Sequence, residues 1–230
     1  MSDAAPLELW ATNAFQSVLK PLSEPLQRAA GALAIAYRSS NMILAEAAKG
    51  GRADALIATR PALEDLARLG VVAGESITNL ASVGLGLGIR AGAPRPDLSS
   101  PDAVRRTLLA AHAIVYSATG ASAAYFMRMV EKLGISSEVK AKAIVHAGGL
   151  VGEVIVRGEA DVGAQMVSEI LAVPGVVLAG ELPAQFRQPT MFAAALFAQS
   201  RRRDTARAVI GVLTSAEARP VYEAAGMTPA

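Results

Sequence analysis

The chain has 230 residues, 52% of them hydrophobic, and a formal net charge of +2 at pH 7; that is enough apolar chain for one large core or two modest ones. It holds no cysteine, which removes disulfides, thiolate nucleophiles and cysteine metal sites, and its two histidines, His112 and His146, lie too far apart in sequence to suggest a metal centre. No apolar run approaches the roughly 18 residues of a membrane span, and the charges are mixed apart from Arg201-Arg202-Arg203, so neither a membrane-spanning nor a nucleic-acid-binding protein is expected.

Met1-Ser2-Asp3-Ala4-Ala5-Pro6 has neither a basic start nor an apolar stretch. The expectation is a cytoplasmic location without an export signal, or a periplasmic one if a leader has been removed. Residues 7–11 read as a strand. Phe15, Val18, Leu19, Leu22 and Leu26 then keep helical spacing, with Pro21 and Pro25 set to kink or divide the helix. A strand over residues 32–37 precedes a helix over 42–49. After Asp54 comes a strand, then a helix opened by Pro61 with Leu63, Leu66 and Leu69 on its inner face and Gly70 as its stop. This β-α alternation predicts parallel pairing with right-handed crossovers. Residues 77–89 form a long extended run containing Gly84, Gly86 and Gly88. Their spacing does not fit a dinucleotide fingerprint; glycines that permit a bend and close approach suit a strand crossing between lobes.

Beyond Pro96, Ser100 reads as an N-cap with Pro101 at the first helical position, and Val104, Leu108 and Leu109 face inward. His112 reads as a cap closing that helix. A strand follows at 114–117, a helix marked by Phe126, Met129, Val130 and Leu133 ends at Gly134, and a further strand covers 142–145. A helix after Gly149 and a strand after Asp161 complete the set. Residues 191–197 are the return crossing. Arg201-Arg202-Arg203 opens an amphipathic helix carrying Ala206, Val209, Ile210 and Leu213.

One short pattern occurs twice. Gly51-Arg52-Ala53-Asp54 and Gly158-Glu159-Ala160-Asp161 each follow a helix-like run and lead into an apolar strand, so each glycine is expected to stop a helix. The repeat predicts two similar α/β lobes, residues 1–82 with 190–230 and residues 83–189, with a ligand cleft between them.

In open parallel sheets ligands lie at the carboxyl ends of strands, beside helix N-termini. The loops expected there carry Thr12 and Asn13; Arg38, Ser39, Ser40 and Asn41; Ser117, Thr119, Gly120 and Ser122; and Gly148 and Gly149. Hydroxyls and bare backbone N–H groups at helix starts favour an anion. One such loop alone reads as ordinary helix capping; four converging on one cleft read as a neutral anion cradle.

Together with the two Gly-x-Ala-Asp motifs and the ending Ser215-Ala216-Glu217-Ala218…Ala224-Ala225-Gly226-Met227, these loops resemble the molybdate-type solute-binding proteins. That family has the type II periplasmic-binding fold, two lobes joined by two crossing strands. Arg90-Ala91-Gly92-Ala93-Pro94-Arg95-Pro96-Asp97, Tyr116-Ser117, Val156-Arg157-Gly158-Glu159-Ala160 and Ser168-Glu169-Ile170-Leu171-Ala172-Val173-Pro174-Gly175 are similar to the branch containing aconitate isomerase. The resemblance implies a small anion held between the lobes by Thr12 or Asn13, Ser39 or Ser40, the loop from Ser117 to Ser122, the turn from Gly149 to Val151, and Gln165 or Met166. It implies an importer permease as partner only for an exported form, and no cofactor. Two features depart from the family: Arg38 brings a full charge, and Trp10 stands where a small residue is usual.

Arg38 either pairs with a ligand carboxylate or lies outward as a surface charge. His146, before the glycine turn, suits a general acid or base or a hydrogen-bonded structural histidine. Glu169 reaches the cleft or is a helix-start carboxylate. Two functions follow. One is an isomerase that shifts a double bond in an unsaturated di- or tricarboxylate; the charge of Arg38 and the missing export signal favour it. The other is a binding protein without turnover, serving an importer or a sensor for an oxyanion or organic acid; the lack of an unambiguous base favours that one.

Overall fold

A computed structural model describes residues 5–230; the reading of the N-terminal segment falls largely on residues 1–4, outside the described residues. In chain order the elements are β1 (Leu7–Thr12), α1 (Gln16–Leu19), α2 (Ser23–Ala30), β2 (Leu33–Arg38), α3 (Ser40–Ala48), β3 (Ala55–Thr59), α4 (Arg60–Arg68) and β4 (Thr78–Val83). Then come β5 (Leu85–Arg90), α5 (Pro101–Ala110), β6 (Ile114–Ser117), α6 (Ala121–Lys132), α7 (Ser136–Ala141), β7 (Ala143–His146), α8 (Gly152–Val156), β8 (Val162–Met166), α9 (Val167–Leu171) and β9 (Val176–Leu178). The chain closes with β10 (Thr190–Leu196), α10 (Arg203–Leu213), α11 (Arg219–Ala224) and β11 (Thr228–Pro229). It divides into two compact units, one running to Ser82 and resuming over Met191–Ala230, the other Val83–Thr190.

The first unit is built on a six-stranded sheet of order β11-β4-β10-β3-β1-β2. β1 lies parallel to β2 and β3, and β10 runs antiparallel to β3. Side chains alternate across the sheet. Trp10, Leu56, Ala58, Ala193 and Ala195 pack on one face with Ile43, Leu63, Leu66 and Phe197. On the other face Phe15 contacts Phe192 and Tyr222 at ring-centroid distances of 5.7 and 5.9 Å. The proline reading needs one refinement. The chain divides at Pro21, whereas Pro25 sits in the first turn of α2, where its missing N–H breaks no helical hydrogen bond. Leu69 is a correction: α4 ends at Arg68, so Leu69 has left the inner face and is 64% exposed. Arg201-Arg202-Arg203 does more than open a helix. Arg202 donates to the carbonyls of Ala5 and Ala30, and Arg203 pairs with Glu75.

The second unit has a five-stranded sheet of order β7-β6-β8-β5-β9, in which β6 is parallel to β7 and β8 and β5 is antiparallel to β8 and β9. Phe126, Met129, Val130, Val104 and Leu108 cover one face, and Val151, Val154, Ile155, Ile170 and Val173 the other. The extended run expected over 77–89 is two strands, β4 in the six-stranded sheet and β5 in the five-stranded one, with Gly84 between them. Gly86 and Gly88 admit α9 onto β5: a Cβ on Gly88 would stand 2.9 Å from Ile170 Cγ2 and 3.1 Å from Val176 Cγ1.

The repeated motif is scaffold. Asp54 accepts the backbone N–H of Glu8 at 3.0 Å and the hydroxyl of Ser200 at 2.7 Å, and its own N–H donates to the Glu8 carbonyl. Asp161 does the same in the second unit, accepting from His112 N–H at 2.5 Å and donating to the Ala113 carbonyl. Each aspartate thus closes the amino-terminal end of a parallel strand pair. The glycines differ. Gly158 does stop a helix, with φ +80°. In the first copy the stop is Gly50, at φ +99°. Gly51 instead makes room for Trp10, whose ring edge would lie 2.6 Å from an added Cβ.

Candidate functional site

In each unit three adjacent parallel strands bring their carboxyl ends side by side: β3, β1 and β2 in the first, and β7, β6 and β8 in the second. The loop residues singled out in the sequence lie at these ends.

In the first unit Thr12 ends β1 and Asn13 opens a single 3-10 turn, both buried. Asn13 Oδ1 accepts from Gln16 Nε2 at 3.2 Å. Ser39 caps α3, its Oγ accepting from Met42 N–H at 3.3 Å; Ser40 is buried in the first turn, and Asn41 is exposed.

Arg38 is neither a free clamp nor an outward charge. Its Nε lies 2.6 Å and its Nη2 3.3 Å from the carboxylate of Glu46, one turn from the end of α3. Its guanidinium stacks 4.8 Å from the Trp10 ring centroid, a geometry that favours cations over indole. Trp10 is itself 6% exposed and packs edge-on against Phe197 at 5.4 Å. The two departures from the family pattern, Arg38 and Trp10, are therefore one cluster. Its third member, Glu46, escapes a sequence reading because it is eight positions from Arg38 and meets it only when α3 packs back on β1 and β2.

In the second unit Ser117 ends β6 and folds the next loop around itself, donating to the Thr119 carbonyl at 2.7 Å and accepting its N–H at 3.4 Å. Gly120 follows at φ +99° and, lacking a side chain, gives α6 no cap of its own. Ser122 is buried in that turn. His146 ends β7 beside Ser117 in register; it is half-buried, and its Nε2 lies 3.7 Å from where a Cβ on Gly149 would stand.

Gln165 and Glu169 organise the end of β8. Gln165, 1% exposed, accepts Val151 N–H at 2.8 Å and donates to the Gly149 carbonyl at 3.0 Å. The turn expected to offer its backbone to a ligand is therefore clasped from below. Val151 N–H is engaged and its side chain fully buried. Glu169 caps the start of α9 in a capping box, accepting Met166 N–H at 3.1 Å. It is 7% exposed. Burial pushes its carboxyl up to about 7, against the opposing pull of hydrogen bonds from Met166 and Gln165. Met166 is buried, with its N–H engaged by Glu169. Position thus brings Gly149, Val151, Gln165, Met166 and Glu169 into one interlocked group.

His112 does not cap α5. That role belongs to Lys142, whose Nζ lies 2.6 Å from the carbonyls of Leu109 and Ala111, placing a cation at the negative end of the helix. Thr59, at the end of β3, went unnoticed in the sequence, although the Thr-Arg-Pro run before a helix was a visible signal. Among the described residues no cluster of His, Asp or Glu could hold a metal, and no helix is long and apolar enough to cross a membrane.

Known proteins match this architecture. The sequence model of the bacterial extracellular solute-binding protein family matches residues 7–228. An aconitate isomerase from Pseudomonas sp. is 34% identical over 183 residues, 79% of this chain and 70% of the relative. The periplasmic molybdate-binding protein of Azotobacter vinelandii superposes with a TM-score of 0.77 at 18% identity, covering 96% of this chain and 98% of that one. The sulfate-binding protein of Mycobacterium tuberculosis H37Rv gives 0.73 at 17% identity over 98% and 87%. These likenesses establish the type II periplasmic-binding fold. With a two-unit α/β scaffold and a family match from the first strand to the last, the chain belongs to the bacterial extracellular solute-binding proteins.

Proposed function

We propose that this protein binds a small organic anion, a di- or tricarboxylate, at the strand-end loops and isomerises it by moving an allylic proton. Glu169 carries the reading. A general base works best with a pKa near the operating pH, and a buried carboxyl raised to about 7 at the end of β8 meets that requirement. Sequence similarity to an aconitate isomerase over 79% of the chain supports it. In the proposed step Glu169 takes a proton from the carbon next to the double bond, the electron pair shifts across three carbons, and the proton returns at the far alkene carbon. No atom is gained or lost. In the second unit the start of α6, which Gly120 cannot cap with a side chain, and the hydroxyl of Ser122 supply neutral donors for a carboxylate.

The test is to incubate the protein with cis- or trans-aconitate and follow the proton NMR spectrum. Interconversion that falls at least about a hundredfold in Glu169→Gln supports the reading. An unchanged spectrum in the wild-type protein overturns it. A second reading, a binder without turnover that serves an ABC-type importer or a sensor, is favoured by one observation. The charge of Arg38 is matched by Glu46, which leaves neutral donors of the kind an oxyanion receptor uses. Binding of molybdate without turnover of any carboxylate would select it.

A further inference from the structure

β10 opens at Thr190, whose side chain is 7% exposed and whose Oγ1 has no hydrogen-bond partner. Buried hydroxyls are almost always bonded, because desolvating one without a partner is unfavourable. Alternation along the strand puts Thr190 on the face of Phe192, and Phe192 stands directly opposite Thr59, the last residue of β3. Residues paired across antiparallel strands share a face. Thr190 and Thr59 therefore present two hydroxyls on one face, at the end of the sheet where β1 ends in Thr12. The Thr59 hydroxyl makes no cap bond to α4.

We infer that Thr190 is a ligand-binding residue, its Oγ1–H donating to one anionic oxygen of the bound solute, with Thr59 as a second hydroxyl beside it. This rests on the reading that the strand-end loops bind an anion, and it adds a strand to that reading. β10 becomes a contributor alongside the loops after β1, β2 and β3 of the same sheet. The shared chemistry is a carboxylate or a tetrahedral oxyanion, since a neutral hydroxyl donates to either.

Thr190→Val keeps the shape and removes the hydroxyl, and it separates a ligand donor from a structural group. Titration calorimetry with cis-aconitate, citrate, molybdate and sulfate is run on the wild-type protein, Thr190→Val and Thr190→Ser, together with melting curves without anion. The expected result is an anion affinity roughly ten- to a hundredfold weaker in the valine variant, near wild type in the serine variant, and an anion-free valine variant that melts no lower than wild type. Loss confined to the carboxylates or to the tetrahedral anions assigns the donor to that class. Unchanged affinity in Thr190→Val overturns the inference while leaving the anion reading intact. A wild-type protein that binds none of the four overturns the anion reading, and this inference with it. Should the valine variant fail to fold, Thr190→Ala and Thr59→Val carry the same comparison.

Discussion

Glu169 and Arg38 show how burial and partner choice decide what a charged residue does. Glu169 titrates near 7 in the folded protein against 4.5 for a free side chain. A raised carboxyl means that the folded state prefers the protonated form. Its contribution to stability is therefore full below pH 4.5 and is lost as the pH rises through about 7, roughly 3 kcal/mol in all. Glu169→Gln should abolish that part of the stability slope and leave a variant more stable than wild type above pH 7, read from chemical denaturation across the window. A slope unchanged by the substitution would place the titration elsewhere. For Arg38 the sequence leaves open a carboxylate clamp, whose removal would weaken carboxylate binding, and an outward surface charge; the pairing with Glu46 replaces both. Arg38→Ala should lower stability by about 1 kcal/mol through the lost stacking on Trp10 and the half-exposed ion pair. Carboxylate affinity should fall less than about threefold. A large loss of affinity at unchanged stability would restore the clamp.

Among the elements, α9 and β5 depend most sharply on single atoms. Gly86 and Gly88 let α9 lie flat on β5, and α9 carries Glu169 while β8, beside β5, carries Gln165. Gly88→Ala drives a methyl into Ile170 and Val176 at about 3 Å, with Ile170 fully buried and unable to move aside. It should cost about 1–3 kcal/mol, the usual range for overpacking, measured as a lower melting temperature. It should also tilt α9 enough to disturb the Gln165 and Glu169 contacts, so turnover is expected to fall together with stability. The twin aspartates work at the same level. Asp54 and Asp161 hold the amino-terminal ends of their strand pairs, opposite the loop ends, so a short repeated motif that looks functional in sequence is an architectural clip used twice.

For the whole molecule, much of the organisation was legible in the order of residues. Apolar periods of two and of three to four, broken by Gly and Pro, mark the alternation of strands and helices, because burial on a sheet face or a helix stripe demands those periods. The doubled Gly-x-Ala-Asp pattern marks the architecture of two α/β units, because each copy must perform the same local task. The placing of the polar loops at strand ends was legible too, because the alternation of strands and helices fixes which loops follow a strand. What the linear order left open was pairing. Glu46 meets Arg38, Gln165 clasps Gly149 and Val151, Lys142 caps α5, and Thr190 comes level with Thr59 only once strands and helices are packed. Periodicity and capping are properties of neighbouring residues and survive in the sequence alone. The ionisation of Glu169, the neutralisation of Arg38 and the orphaned hydroxyl of Thr190 depend on which distant groups share a desolvated space, and tertiary packing alone decides that.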